Sequence, residues 1–171
     1  AYRSMLELDE LDKESLDALE RLYTDAQNWP ELLNILKHKA DAGDGDEKVN
    51  ILRKMATINN DCLDNTKAAI DCYREILDNV SDDREAIDAL ESLYTNTEDW
   101  ENLSANYGIK LQLASDDEEK RGLLKKMANL QEEKLKQYDE AIQLYTQVLD
   151  LFPEDEDTLD SLDRLSLSQE K

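Results

Sequence analysis

Between residues 13 and 26 the apolar positions Leu16, Leu19, Leu22 and Tyr23 fall three and four apart, the spacing that gathers side chains on one face of an α-helix. The same rhythm continues along the chain. A helix over about 45–63 carries Ile51, Leu52, Met55, Ile58 and Leu63, and one over about 66–80 carries Ala69, Ile70, Tyr73, Ile76 and Leu77. The helix between the first and third opens at Asn28-Trp29-Pro30-Glu31. There Asn28 is placed as an N-cap, Pro30 suits a first turn and Glu31 completes a capping-box pattern. Further helices are predicted near 81–97, 99–114, 116–136 and 138–152, with a last one from about Asp155. Nowhere do β-branched and aromatic residues alternate as a strand requires.

These elements form a repeat. Residues 72–94 (CYREILDNVSDDREAIDALESLY) match residues 1–23 (AYRSMLELDELDKESLDALERLY) at an offset of 71. Trp29 and Leu32 recur as Trp100 and Leu103 at that offset, and one inserted residue then moves it to 72. Met55-Ala56 becomes Met127-Ala128, Ala69-Ile70 becomes Ala141-Ile142, and Leu90 recurs as Leu162. The expected unit is four helices in two hairpins, giving hairpins at about 12–43, 44–80, 81–115 and 116–153. A partial helix over 1–11 and a partial or capping helix over 154–171 flank them, all in one solenoid. A single hairpin cannot bury its own apolar stripes, whereas stacked neighbours share a core. A heptad coiled coil fails because the helices are short and lack a sustained 3.5-residue period. Residues 1–8 match the second half of a fourth-type helix, so the chain is expected to be a piece of a longer array. The cut ends are expected to favour end-to-end self-association through apolar surface at 1–8 and 159–165.

Composition narrows the partners. With 42 acidic residues against 20 basic ones, the net charge is −22. That charge repels phosphate backbones and anionic membranes, which argues against nucleic acid and membrane contact. No apolar run approaches a bilayer's thickness, and no secretory signal is visible. A cytoplasmic setting is favoured. Cys62 and Cys72 are the only cysteines; they do not make a disulfide framework and are expected as free thiols.

Catalytic chemistry finds little to work with. His38 is the one histidine, and Ile109 takes its place in the next copy. The four glycines form neither a phosphate loop nor a nucleophile elbow. Two Cys and one His at these spacings do not make a zinc site. The run Asp41–Glu47 looks like a calcium loop, but counted from Asp44 its fifth position is Lys48 and its twelfth is Met55. The closing bidentate Glu is missing, so the run is expected to be an exposed turn with Asp44 capping the next helix. No catalytic, cofactor or metal site is predicted. Trp29, Trp100 and the tyrosines recur at repeat spacing and are expected as packing residues; Tyr107 is the exception, since its counterpart is Leu36.

Five acidic clusters, at 9–14, 41–47, 82–85, 116–119 and 154–157, all fall in turns leading into the first helix of a hairpin. Carboxylates there cap free N–H groups and complement the helix dipole. Ser115-Asp116-Asp117-Glu118 is expected to be a capping box. The competing expectation is a docking strip for a basic partner.

The stretch Tyr138–Tyr145, running on to Val148, Leu149 and Pro153, resembles the second helix of a tetratricopeptide repeat. Ala141, Tyr145, Val148 and Pro153 fit that family's pattern of small residue, aromatic, small residue and proline. Ala69, Tyr73 and Ile76 fit too, with Ser81 in place of the proline. The chain departs by one extra residue before Ala69, and by Leu52, Met55 and Ala56 where the family's first helix carries Trp, Leu and Gly. The resemblance implies an all-α, right-handed solenoid of antiparallel hairpins. It further implies a non-enzymatic scaffold that binds a protein or peptide on a concave face lined by first helices. By alignment, that face offers Asp17, Glu20, Thr24, Asn50, Arg53, Thr57, Asp88, Glu91, Thr95, Lys125 and Asn129. A structural spacer, or a regulatory module of a larger protein, is the alternative expectation.

Overall fold

The computed structural model describes residues 13–169, with side chains through 167. Among them are nine α-helices and no strand. They are α1 (Lys13–Asp25), α2 (Trp29–Ala42), α3 (Gly45–Thr57), α4 (Thr66–Asn79), α5 (Arg84–Asn96), α6 (Trp100–Leu113), α7 (Asp117–Leu130), α8 (Tyr138–Leu151) and α9 (Glu156–Gln169). The predicted partial helix over residues 1–11 lies outside the described residues. The chain divides into two compact units, residues 1–89 and 90–171.

In the first unit α1 meets α2 through Leu16, Leu19 and Ile35, with Tyr23 beside them. Leu32, Leu36 and Ala40 of α2 then pack with Ile51 of α3 and Ile58, with Trp29 and Met55 at the margin. The other flank of α3, Val49 and Leu52, closes on Ile76 of α4 and on Ala86. The helices α2 and α3 therefore each share an apolar stripe with both neighbours, as stacked hairpins must. The second unit builds its end the same way: Ala128 of α7, Ala141 and Tyr145 of α8 and Leu165 of α9 form one cluster.

The helices α3 and α7 do not simply stop. Each runs into a π-turn, at Ile58–Cys62 and Gln131–Leu135, closed by Asn65 N–H donating to the Asn59 carbonyl and by Gln137 N–H donating to the Gln131 carbonyl, both at 2.8 Å. A π-turn is an α-helix holding one extra residue. This is where the extra residue before Ala69 is accommodated. The side chains of Asn59 and Gln131 are buried in these turns, and Asp64 and Lys136 leave them in left-handed conformation. Gln27 and Glu98 do the same after α1 and α5.

Several expected details differ. Leu63 is exposed, because the π-turn carries it off the apolar face of α3. Leu22 is 56% exposed, since it lies on the flank of α1 away from the stripe that meets Ile35; its counterpart Leu93 is buried. Asn28 sits at the N-cap of α2 but makes no side-chain cap bond, and neither does Asp44 at α3. Gly45 opens α3 at φ +48°, a left-handed start available to glycine. The capping box at α7 is shifted by one residue: Asp116 accepts from Glu119 N–H at 2.8 Å, while Glu119 accepts from the N–H and hydroxyl of Ser115. Both cysteines are free thiols, Cys62 exposed and Cys72 buried, and burial pushes the Cys72 thiol up to about 11.

Candidate interaction surface

The nominated residues fall on the first helix of each hairpin, spaced three and four apart. Many do not face solvent alone. Glu20 of α1 is held between two lysines, accepting from Lys39 of α2 and from Lys54 of α3, each at 2.5 Å. Lys39 also reaches Asp17 at 2.7 Å. Burial works against ionisation of both Glu20 and Lys39. Their mutual bonds and the other partners outweigh it, so the Glu20 carboxyl lies below its ordinary value and the Lys39 ammonium above.

The second unit repeats the arrangement. Glu91 of α5 bonds Lys110 of α6, meets Lys126 of α7 at 3.3 Å and accepts from the Tyr107 hydroxyl at 3.3 Å. Burial opposes its ionisation, and Lys110 and Lys126 together overcome that and lower the carboxyl. Lys126 also lies over the Tyr107 ring, 5.5 Å from its centre, a favourable cation–π placement. That is a use for Tyr107, an aromatic where the first unit has Leu36. In each unit the acid on one first helix is bound by a lysine on the next first helix, so the two helices stand side by side with a charged seam between them.

Further along the seam the sign inverts. Arg53 of α3 pairs with Asp83 and, at 3.0 Å, with Glu85. Lys125 of α7 pairs with Asp155 at 2.9 Å and Asp157 at 3.2 Å. These aspartates also cap helices: Ala86 N–H donates to Asp83 at 2.8 Å, and Thr158 donates to Asp155 from N–H at 3.1 Å and from its hydroxyl at 2.7 Å. Lys125 and Thr158 hold the Asp155 carboxyl down at about 2. Two of the acidic clusters are thereby tied into cap-and-bridge contacts.

Thr24, Asn50, Thr57, Thr95 and Asn129 are exposed along the same helices, with Asp88. The Thr24, Thr57 and Thr95 hydroxyls donate to the carbonyls of Glu20, Arg53 and Glu91, one turn back. Asn129 accepts from the Tyr145 hydroxyl at 2.6 Å. The alignment did not single out Lys39, Lys54, Lys110, Lys126, Asp83 or Asp155. Their signal was nevertheless present, because each pair recurs at the repeat offset. His38 is exposed on α2, and no group of three or more His, Cys, Asp and Glu that could hold a metal occurs among the described residues. No helix among them is long and apolar enough to cross a membrane.

Residues 126–155, from the end of α7 through α8, match the tetratricopeptide repeat family. A tetratricopeptide repeat protein from Parabacteroides merdae ATCC 43184 has a similar structure, with a TM-score of 0.50 at 16% identity, over 99% of this chain and 65% of that one. The chain has a tetratricopeptide-like helical repeat fold. Similarity extends to MamA (TM-score 0.48, 18% identity, 90% of this chain and 85% of that one). It extends also to YrrB, described as a TPR protein with an unusual peptide-binding site (TM-score 0.47, 14% identity, 94% and 79%). At these identities the likeness of the tetratricopeptide-like chain to each is one of fold. No curated protein sequence matches it.

Proposed function

We propose that the chain is a non-enzymatic scaffold that binds an extended peptide or protein segment along the first helices of its hairpins. The observation that carries this reading is the charged seam. Glu20 with Lys39 and Lys54, and Glu91 with Lys110 and Lys126, fix long side chains that would otherwise be mobile. Short polar groups with donors and acceptors exposed to solvent lie on helices of each unit, Asn50 and Thr57 in the first and Thr95 in the second. A surface whose polar groups are already ordered loses less side-chain entropy on binding. Its alternating charge suits hydrogen bonding to a peptide backbone better than attraction to a polycation, and mainly sets rate and selectivity.

The test is a displayed library of extended peptides selected on the whole chain. Peptides so obtained should lose affinity by about tenfold with Asn50→Ala combined with Thr57→Ala, which leave every ion pair intact. Asp117→Asn combined with Glu154→Gln, on the acidic edge, should change affinity less than about threefold. The reverse pattern would replace the seam with the acidic edge as the binding surface and a basic segment as the partner.

A further inference from the structure

The turn between α2 and α3 holds a pair of adjacent groups that its counterpart in the second unit lacks. Asp44-Gly45 is the only step in the chain where Asp or Asn precedes Gly. Both residues are exposed, and the Asp44 carboxyl makes no cap bond to the first turn of α3. Gly45 opens that helix, so its N–H lies where an α-helix offers no intrahelical acceptor. Apart from its chain neighbours and its own helix, no heavy atom lies within 4 Å of where a Cβ on Gly45 would sit. The Gly45 nitrogen and the Asp44 side-chain carbon therefore face each other with no side chain on the glycine to shield the approach. In the second unit Asp117 stands where Gly45 does, and the Asp116 carboxylate is engaged by the Glu119 N–H at 2.8 Å.

We infer that Asp44 is a modification site, at which the backbone rearranges to isoaspartate. The Gly45 nitrogen attacks the Asp44 Cγ and forms a C–N bond. The carboxyl C–OH bond breaks, and the hydroxyl leaves with the amide proton as water. The product is a five-membered succinimide, to which water then adds at one of two carbonyls. Addition at Cγ restores aspartate. Addition at the former backbone carbonyl gives isoaspartate, in which the main chain runs through Cβ and Cγ. One water leaves and one returns, so no oxidant or other reactant is needed. Nucleophile and electrophile belong to neighbouring residues, which makes the ring closure intramolecular.

The consequence falls on α3. The Asp44 carbonyl accepts the Lys48 N–H at 3.3 Å, the first bond of that helix. In isoaspartate the same carbon is a free carboxylate on a side branch, and the main chain is longer by one carbon. The first turn has to re-form around it, beside Val49, which is 5% exposed and packs with Leu52 against Ile76 and Ala86. The modification is separate from the seam proposed above and stands or falls without it.

The test ages the whole chain in warm neutral buffer and samples it over weeks. Each sample is treated with a protein-isoaspartate methyltransferase and methyl-labelled S-adenosylmethionine, which mark isoaspartyl carboxylates and leave ordinary aspartate alone. Label should accumulate with age on the fragment that contains Asp44, and the fragment that contains Asp116 should stay unlabelled. Mass spectrometry should find a minor form of the Asp44 fragment lighter by one water, the succinimide. Asp44→Glu should lose the label, because its ring would have six members and closes far more slowly. With no cap bond to lose, that variant keeps α3. Asp44→Asn should gain label several-fold, since loss of ammonia leads to the same succinimide. Hydrogen exchange at the first amides of α3 should quicken in the aged protein. Label absent from Asp44, equal at Asp116 or unchanged by Asp44→Glu overturns the inference, and unaltered exchange overturns its consequence for α3.

Discussion

The two units carry nearly the same apolar pattern yet fasten their helix ends differently. In the second unit Asp99 caps α6, accepting from Asn102 N–H, and Asp116 caps α7. In the first unit the equivalent Asn28 and Asp44 cap neither α2 nor α3 with their side chains. The inserted residue accounts for part of this. The α2–α3 loop is one residue shorter, and Gly43 is pinned so tightly that an added Cβ would lie 3.0 Å from the Lys39 carbonyl. The longer α6–α7 loop supplies Ser115, whose N–H and hydroxyl donate to Glu119. The units differ inside as well. Glu132, buried in the second π-turn, receives Arg164 of α9 and the Tyr145 hydroxyl, where the first unit has Asn60. A shared hydrophobic pattern determines which helices form; polar fastening decides how firmly each is held.

The largest expected effect is at that buried carboxylate. Glu132→Ala removes charge-assisted bonds and should lower stability by about 2 kcal/mol in urea denaturation. Asn60→Ala, at the equivalent place, should stay within about 0.5 kcal/mol. Equal losses would mean that the two π-turns are held alike.

Acid should loosen the second unit at α9. The Asp155 carboxyl is depressed below its unfolded value, so its contribution is present above about pH 4 and is lost as pH falls through about 2. Glu91 is depressed as well and adds in the same direction. Hydrogen exchange of the first amides of α9, corrected for intrinsic rate, should accelerate between pH 4 and pH 2, and Asp155→Asn should abolish that step.

Capping gives a smaller contrast. Asp116→Ala should cost about 1 kcal/mol, while Asp44→Ala should cost a few tenths at most. Thermal melts of the two variants measure this directly, and a comparable loss at Asp44 would contradict the uncapped start of α3. Smallest is a thiol contrast within the first unit. Exposed Cys62 should react with a disulfide reagent at neutral pH within minutes, whereas Cys72, buried and pushed up to about 11, should wait for unfolding.

The helical fold and the helix positions were legible in the sequence because they depend on apolar spacing, which the 71–72-residue repeat displays twice. The exposed Leu22 and Leu63 were not, since spacing identifies a face but not which part of it a neighbour covers. Caps were legible by type but not by geometry: Asn28 and Asp44 are good capping residues whose side chains accept no first-turn N–H. The seam residues Glu20, Arg53, Glu91 and Lys125 were found as a surface. Their partners were missed because a helical period assigns each residue to its own helix and says nothing of the lysine that reaches it from the next.

The π-turns also record ancestry. Among the described residues the bulge sits, in each unit, at the end of the first helix of the second hairpin and nowhere else, at Ile58–Cys62 and Gln131–Leu135. An extra residue has to be absorbed without turning the downstream face away from the core, so few places tolerate it, and two separate insertions at one place are improbable. The bulge therefore predates the copying. What was duplicated was the whole four-helix block with its defect already inside, and the loop residue that distinguishes the two copies came afterwards.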